Sequence, residues 1–222
     1  NNYGQLGTSP GGAITTGREL YSGGIEKIGV GFRTSYFIKD DGSLWAVGQG
    51  TTGEIGDGAT VDYSTAVQVD GGTVVDVDGG LNFAQYVKDD GSLWAMGYNG
   101  SGQLGDGTTT TQYTKIQVVS SGVEKVSDGN EFSVILKTDG TVWATGQGTS
   151  GQIGDGASVD RSSYVQVTGL SGNAIDVATG SVHVLYLMED GSVWAAGDNS
   201  YGQLGDGTVT GRPSPVQIFS SN

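Results

Sequence analysis

One motif recurs four times along the chain and constrains its fold more than any other feature. An Asp-Gly dipeptide is followed by a tryptophan and, after a short gap, by a glycine-rich hexamer that ends in Gly-Asp-Gly. The tryptophans of the four copies stand about 50 residues apart. They are Trp45, Trp94, Trp143 and Trp194. Self-similarity at such a period indicates a repeat architecture, so we expect one array rather than two unrelated domains.

Each copy of the motif belongs to a unit that predicts four short β-strands. In the first unit, apolar or alternating runs lie at Ile25–Gly31, Thr34–Lys39, Leu44–Val47 and Thr65–Val69. Asp41-Gly42 between the second and third runs predicts a hairpin with a type I′ turn. Because four strands per unit without helical periodicity are typical of propeller blades, we predict a β-propeller.

The unit boundaries follow from the repeat. Full repeats cover residues 25–69, 74–118, 123–167 and 174–218, and residues 1–24 form a partial repeat. Asn1–Gly7 (NNYGQLG) matches Asn199–Gly205 (NSYGQLG), but the tryptophan half of that repeat is absent. Ala13–Ser22 is predicted to be an outer strand with its connection. We expect residues 1–222 to be one propeller domain or a portion of one, which closes a small ring or relies on neighbouring sequence or another copy.

The units resemble the repeats of the regulator of chromosome condensation family. The shared pattern is a glycine at the end of the first strand, a D-G turn, an aromatic-x-x-G strand and the segment N-x-x-G-Q-L-G-x-G, which Asn199–Gly205 follows closely. The resemblance implies an all-β fold, a β-propeller of the RCC1-like type with four complete four-stranded blades plus an N-terminal partial repeat. Family members that exchange nucleotide or bind chromatin are typically seven-bladed, and neither an inserted hairpin nor a basic surface is apparent here.

Composition narrows the partners. The formal charge of −14 disfavours nucleic acid and anionic membranes as ligands, because phosphate neutralisation needs clustered Lys and Arg. The chain has no cysteine, which removes disulfides and thiolate metal sites. No run approaches the roughly 20 apolar residues of a membrane helix. The compartment stays unknown, with an extracellular or virion surface favoured over the cytoplasm.

The Gly-Asp-Gly aspartates have two interpretations. They are Asp57, Asp106, Asp155 and Asp206. One interpretation is a ring of calcium sites, but calcium takes six to eight oxygens and the neighbours are mostly Gly, Thr and Ala. The other is an Asx turn, in which the carboxylate accepts a backbone N–H and glycine supplies positive φ. We favour the turn, and expect no metal and no cofactor.

The tryptophans and the single histidine also have two interpretations each. The four tryptophans are expected to be buried residues that pack one blade against the next, rather than a chromophore cluster. His183 stands eleven residues before Trp194, where the other units place Thr34, Phe83 and Phe132. We therefore expect a packing role rather than a general base. With no Ser-His-Asp constellation in view, we expect no enzyme activity.

The positions that vary between units are the candidates for partner binding. They lie in loops, where propellers present divergent residues on a repeated scaffold, and Tyr and Arg are enriched in binding hot spots. The candidates are Phe32, Arg33, Tyr63, Tyr98, Tyr113, Arg161, Tyr201 and Arg212. They predict a module that recognises a protein or glycan. The alternatives are a structural component of an extracellular or viral assembly, with self-association or flanking domains completing the ring, and ordinary solvated loop residues.

Overall fold

The structure, a computed structural model, describes residues 1–8, 11 and 23–220. Within these ranges sixteen strands form four antiparallel sheets of four strands each, and no helix occurs. The strands are β1 Ile25–Val30, β2 Thr34–Lys39, β3 Leu44–Gly48, β4 Tyr63–Asp70, β5 Val74–Gly79, β6 Phe83–Lys88, β7 Leu93–Gly97, β8 Gln112–Val119, β9 Val123–Asp128, β10 Phe132–Lys137, β11 Val142–Gly146, β12 Arg161–Gln166, β13 Ala174–Thr179, β14 His183–Met188, β15 Val193–Gly197 and β16 Arg212–Phe219.

Each sheet takes its four strands in chain order, so each sheet is one predicted blade. Blade 1 is β1–β4, blade 2 is β5–β8, blade 3 is β9–β12 and blade 4 is β13–β16. The second strand of the first unit has the predicted bounds, whereas the fourth starts earlier, at Tyr63, and runs to Asp70. The outer strand predicted at Ala13–Ser22 lies outside the described residues.

The hairpin between the second and third strands differs from the predicted type I′ turn, which needs positive φ at both central residues. Gly42 has a φ of 76°, but Asp41 has not. The Gly42 amide donates to the Lys39 carbonyl at 2.9 Å, so the left-handed glycine ends the turn. The reason lies in the side chain of Asp41, which accepts the Ser43 amide at 2.9 Å and the Ser43 hydroxyl at 2.5 Å.

The chain divides into two compact units. The first comprises Asn1–Tyr98 and Thr111–Ser120 and contains blades 1 and 2. The second comprises Asn99–Thr110 and Ser121–Asn222 and contains blades 3 and 4 with the loop that follows β7. Each unit has its own apolar core, in which residues of both of its blades pack together.

Glycine at the end of the first strand permits close packing of the inner strands in the first unit. A Cβ on Gly29 in β1 would lie 2.5 Å from the Val77 carbonyl of β5, and one on Gly79 would lie 2.9 Å from the Gly31 Cα. Neither distance is compatible with a side chain. The repeated glycine is therefore a requirement of blade-to-blade packing.

Candidate protein-binding face

In every blade the turn between the first two strands lies beside the segment that follows the third strand. The amide of Gln49 donates to the Arg33 carbonyl at 3.0 Å, and that of Tyr98 donates to the Asn82 carbonyl at 2.8 Å. The equivalent bonds in blades 3 and 4 are Gln147 to Glu131 and Asp198 to Val182. We call this edge of each blade, formed by the turns at 31–33, 80–82, 129–131 and 180–182 and the loops after the third strands, the loop face.

An aromatic and arginine cluster occupies the loop face of blade 1. The guanidinium carbon of Arg33 lies 4.6 Å from the ring centre of Tyr3 and 5.0 Å from that of Phe32. Its Nη1 also donates to Gln49 Oε1 at 3.3 Å. Three contacts therefore hold the arginine, while the Phe32 ring is 61% exposed. Cation–π contacts of this kind favour a fixed guanidinium position.

The cluster continues toward blade 2 through the backbone. The Phe32 amide donates to the Gly80 carbonyl at 3.0 Å, and the turn of Gly80 also contains Asn82, which accepts the Tyr98 amide. The first unit thus brings Phe32, Arg33 and the half-buried Tyr98 to one continuous edge.

Three of the other predicted binding residues are engaged inside their own repeats. The hydroxyl of Tyr63 donates to Asp57, the Arg161 Nε donates to Asp155 at 2.8 Å, and the Arg212 Nε donates to Asp206 at 2.7 Å. All three start the fourth strand of a blade. Their side chains hold the Gly-Asp-Gly loop in place, and we assign them that role. A sequence signal existed, because each lies six residues after its aspartate.

The aspartates themselves form the predicted Asx turns. Each accepts the backbone N–H two residues further on, at 2.9 Å, and the acceptors are Asp57, Asp106, Asp155 and Asp206. Asp206 also accepts the Thr208 hydroxyl, and this bond together with the Arg212 contact holds the pKa of the carboxyl well below its usual range. The turn prediction is confirmed.

Two buried asparagines that the sequence reasoning did not single out complete these loops. Asn99 donates to Asp106 at 3.0 Å and accepts the Leu104 amide at 3.0 Å, and Asn199 does the same with Asp206 and Leu204. Both asparagines are fully buried. The signal was the leading Asn of the N-x-x-G-Q-L-G segment, seven residues before the aspartate.

The four tryptophans occupy equivalent positions but are half-buried, so the expectation of full burial is wrong. Each indole N–H donates to the Ser or Thr two residues earlier, as Trp94 does to Ser92 at 3.1 Å. In blades 1 to 3 a lysine ammonium lies over the ring, at 3.8 Å for Lys39 and Trp45. The aliphatic lysine stem covers one ring face while its charge stays in solvent.

His183 packs in the manner of a phenylalanine. A Cβ on Gly180 would collide with its imidazole, just as a Cβ on Gly129 would collide with the Phe132 ring. Burial lowers the pKa of His183, and Asp198 opposes this shift. The imidazole therefore fills the space over the glycine turn, in agreement with the packing role expected of it.

Two further candidates remain exposed. The Tyr113 side chain is 46% exposed and that of Tyr201 is 92% exposed. Among the described residues no three His, Cys, Asp or Glu side chains cluster as metal ligands do. Nor does any helix in the described ranges have the length and apolarity needed to cross a membrane.

Comparison with known families gives a match over more than half of the chain. A family described as "Regulator of chromosome condensation (RCC1) repeat" matches residues 90–136, 139–187 and 190–222. A second family of the same description matches residues 123–152 and 174–203. Among curated proteins, the human and mouse E3 ubiquitin-protein ligase HERC2 are each 51% identical over 51 residues, which is 22% of this chain and 1% of theirs.

Solved structures share the fold. Human WBSCR16 matches with a TM-score of 0.86 at 23% identity, over 99% of this chain and 61% of that one. Prp20p from Saccharomyces cerevisiae, described with its binding properties to Gsp1p and histones, matches with a TM-score of 0.76 at 18% identity, over 89% and 51%. A structure of Kap60 bound to yeast RCC1 (Prp20) matches with a TM-score of 0.75 at 16% identity, over 89% and 49%. These likenesses show the RCC1-type propeller fold, and the chain spans less than two thirds of each of these relatives.

Proposed function

The chain belongs to the regulator of chromosome condensation (RCC1) repeat family, and we propose on that premise that it is a non-enzymatic module that binds a protein partner through its loop face. The observation that carries the proposal is the cluster of Tyr3, Phe32 and Arg33. An exposed aromatic ring stands beside an arginine whose position is already fixed by two rings and an amide.

The chemistry of this cluster suits a protein anchor. Rigid aromatic side chains give large contact area at a small cost in ordering entropy, and a held guanidinium loses little freedom on binding. Arg33 uses one N–H for Gln49, and a guanidinium carries five donors. A partner that places an apolar side chain on Phe32 and a carbonyl or carboxylate on Arg33 fits this arrangement.

The overall charge restricts the partner further. At a formal charge of −14, a neutral or basic protein approaches more readily than an acidic one. If the partner is basic, its association rate falls as salt rises, because the attraction is screened.

The relatives support a protein rather than a glycan. Prp20p is described as binding Gsp1p and histones, and its complex with Kap60 has been solved. Protein ligands are thus the partners named for that relative, and we extend this class of ligand to the present chain.

The proposal assigns no chemistry to the loop face. The only histidine of the chain, His183, fills space over Gly180. The lowered pKa of this imidazole leaves it neutral, and it has the packing partner that a phenylalanine has in blade 3. A binding role therefore accounts for the residues without a catalytic group.

A displayed protein library selected on the wild-type chain, and depleted on the Phe32→Ala variant, tests this function. We expect binders that survive the depletion and lose affinity for Phe32→Ala by about tenfold or more. Tyr113→Ala is the matched control, since it removes another exposed aromatic ring away from the cluster. Binders that ignore Phe32, Arg33 and Tyr98 and depend on the sides of the blades would overturn the proposal.

A second candidate function is a structural role in a larger assembly. It is favoured by the exposure of Tyr201 and of Ile28, which equivalent positions elsewhere in the chain do not share.

A further inference from the structure

Successive repeats are joined by the glycine-rich loops. The glycine that opens each hexamer lies on the start of the fourth strand of the following blade. A Cβ on Gly53 would lie 3.0 Å from the Tyr113 Cα, one on Gly102 would lie 2.5 Å from the Ser162 Cα, and one on Gly151 would lie 2.6 Å from the Pro213 Cα. The last glycine of each loop then donates its amide to the same strand, at 2.8 to 2.9 Å.

The N-terminal fragment docks on blade 1 in the same way. A Cβ on Gly4 would lie 2.7 Å from the Ser64 Cα. The Ser35 hydroxyl donates to the Gln5 carbonyl at 2.8 Å, as Ser133 does to Gln103 in the second unit at 2.9 Å. Tyr3, which precedes this glycine, supplies the ring under Arg33. Residues 1–7 are therefore the docking loop of a repeat that precedes blade 1.

The loop of blade 4 has no such acceptor among the described residues. A Cβ on Gly205 or Gly207 would meet nothing within 4 Å, and one on Gly202 would meet only the Thr208 carbonyl, at 3.9 Å. Tyr201, which corresponds to Tyr3, is 92% exposed.

The undocked loop nevertheless has the docked conformation. The Gly202 amide donates to the Asn199 carbonyl at 2.9 Å and the Gly205 amide to the Gly202 carbonyl at 3.0 Å, as the equivalent residues do in the docked loop at 99–105. The Asn199 side chain closes the loop through Asp206 and Leu204. Because the loop is already ordered, docking it costs little conformational entropy.

We propose that the loop at 199–207 docks on blade 1 of a second copy of this chain, in place of that copy's residues 1–7. The loop repeats the sequence of that fragment at five of the seven positions from Asn1 to Gly7, including Tyr, Gly, Gln and Leu in the same order. In the docked state Tyr201 takes the place of Tyr3 under Arg33 of the second copy, and Gln203 takes the place of Gln5.

The exposed inner strand of blade 1 supports this arrangement. Ile28 is 72% exposed, whereas the residues at its place in the other blades are 1 to 3% exposed, and they are Val77, Val126 and Val177. Docking of a blade beside β1 would cover Ile28 as the other three are covered. The contact is heterologous, so it propagates head to tail into rings or chains.

Sedimentation equilibrium of four full-length variants over a wide concentration range tests the proposal. Gly4→Ala places a Cβ against Ser64 and releases the resident fragment, so we expect its self-association to be about tenfold or more tighter than that of the wild type. Adding Gly202→Ala to Gly4→Ala introduces the same collision on the incoming loop, and we expect association to be lost.

Gly207→Ala in the Gly4→Ala background is the matched control. Gly207 also has a positive φ, and its counterparts Gly107 and Gly156 have room for a Cβ, at 3.5 to 3.6 Å from the nearest atom. This variant carries a similar backbone strain but should associate as Gly4→Ala does. Association of the Gly202→Ala form equal to that of the control would overturn the proposal.

Two further results would also overturn it. The first is a Gly4→Ala variant that stays monomeric at about 1 mM, because no useful contact is then made. The second is a monomer in which Tyr201 is protected from chemical nitration, since the loop would then be covered by its own chain.

Discussion

The hydroxyl of Tyr86 donates a hydrogen bond to the buried carboxylate of Asp70 at 2.9 Å. Asp70 ends β4 of blade 1 and Tyr86 lies in β6 of blade 2, so the bond joins two blades of the first unit. Lys88 and Lys115 also contact this carboxylate, at 3.0 and 3.2 Å. Tyr186 is the equivalent tyrosine of blade 4, and its buried hydroxyl has no hydrogen-bond partner among the described residues.

This pair of tyrosines gives a matched stability test. Tyr86→Phe removes a satisfied bond to a charged group and should lower the free energy of unfolding by about 1.5–3 kcal/mol. Tyr186→Phe removes a buried polar atom without a partner and should be neutral or stabilising. Chemical denaturation measures both. Equal destabilisation by the two changes would show that the Tyr86 bond contributes nothing specific.

Asp70 should make stability depend on pH. Burial raises its pKa, but hydrogen bonds from Lys88, Tyr86 and Lys115 outweigh burial, so the folded pKa lies below the unfolded value. The stabilisation is therefore present above the unfolded pKa of about 3.9 and is lost as pH falls through the folded pKa. We expect Asp70→Asn to flatten the acid limb of the stability profile. An unchanged limb between about pH 5 and 2 would contradict this assignment.

Glu54 should behave in the opposite way. It stands where the other loops have Gln103, Gln152 and Gln203, and it is buried with one carboxylate oxygen unpaired among the described residues. Burial raises its pKa.

Glu54→Gln is therefore expected to stabilise the chain at pH 7, by about 1–3 kcal/mol. The gain should be complete above the raised folded pKa and should shrink as pH falls toward the ordinary value of 4.5. Thermal denaturation at several pH values measures it. A gain that is the same at pH 4 and pH 7 would mean that the ionisation of Glu54 is not its source.

Much of this architecture follows from the sequence, because backbone requirements repeat visibly. Positive φ restricts the turn position of Gly42 to glycine, and close approach restricts Gly29, so these residues recur at every blade. The chain-order blades and the Asx turns followed from such positions.

Side-chain partners were harder to predict. Tyr63, Arg161 and Arg212 were interpreted as binding residues, although each bonds to the aspartate six residues before it. The pairing of Tyr3 with Arg33 depends on docking of a fragment from a different repeat. Full burial of the tryptophans failed as a prediction because a lysine stem, not a blade, covers part of the ring in three blades.

Half-burial lowers the expected contribution of these tryptophans. Trp94 packs against the core of the first unit and stacks with Tyr86 at 6.3 Å, but it is not enclosed. Trp94→Ala should cost about 2 kcal/mol, less than the roughly 3–5 kcal/mol of a fully buried tryptophan. Ser92→Ala removes only the acceptor of the indole N–H and should cost about 0.5–1.5 kcal/mol. A cost for Trp94→Ala at or above that of a core residue would contradict the observed exposure.

The central claim, a protein-binding loop face, is tested most directly by the dissociation constant of a selected protein partner for wild-type, Phe32→Ala and Tyr113→Ala chains at one salt concentration. Isothermal titration gives all three values. We predict that Phe32→Ala weakens binding by about tenfold or more, since anchor residues contribute upward of about 1–2 kcal/mol, while Tyr113→Ala leaves it within about twofold. Binding that survives Phe32→Ala and is lost with Tyr113→Ala would contradict the account.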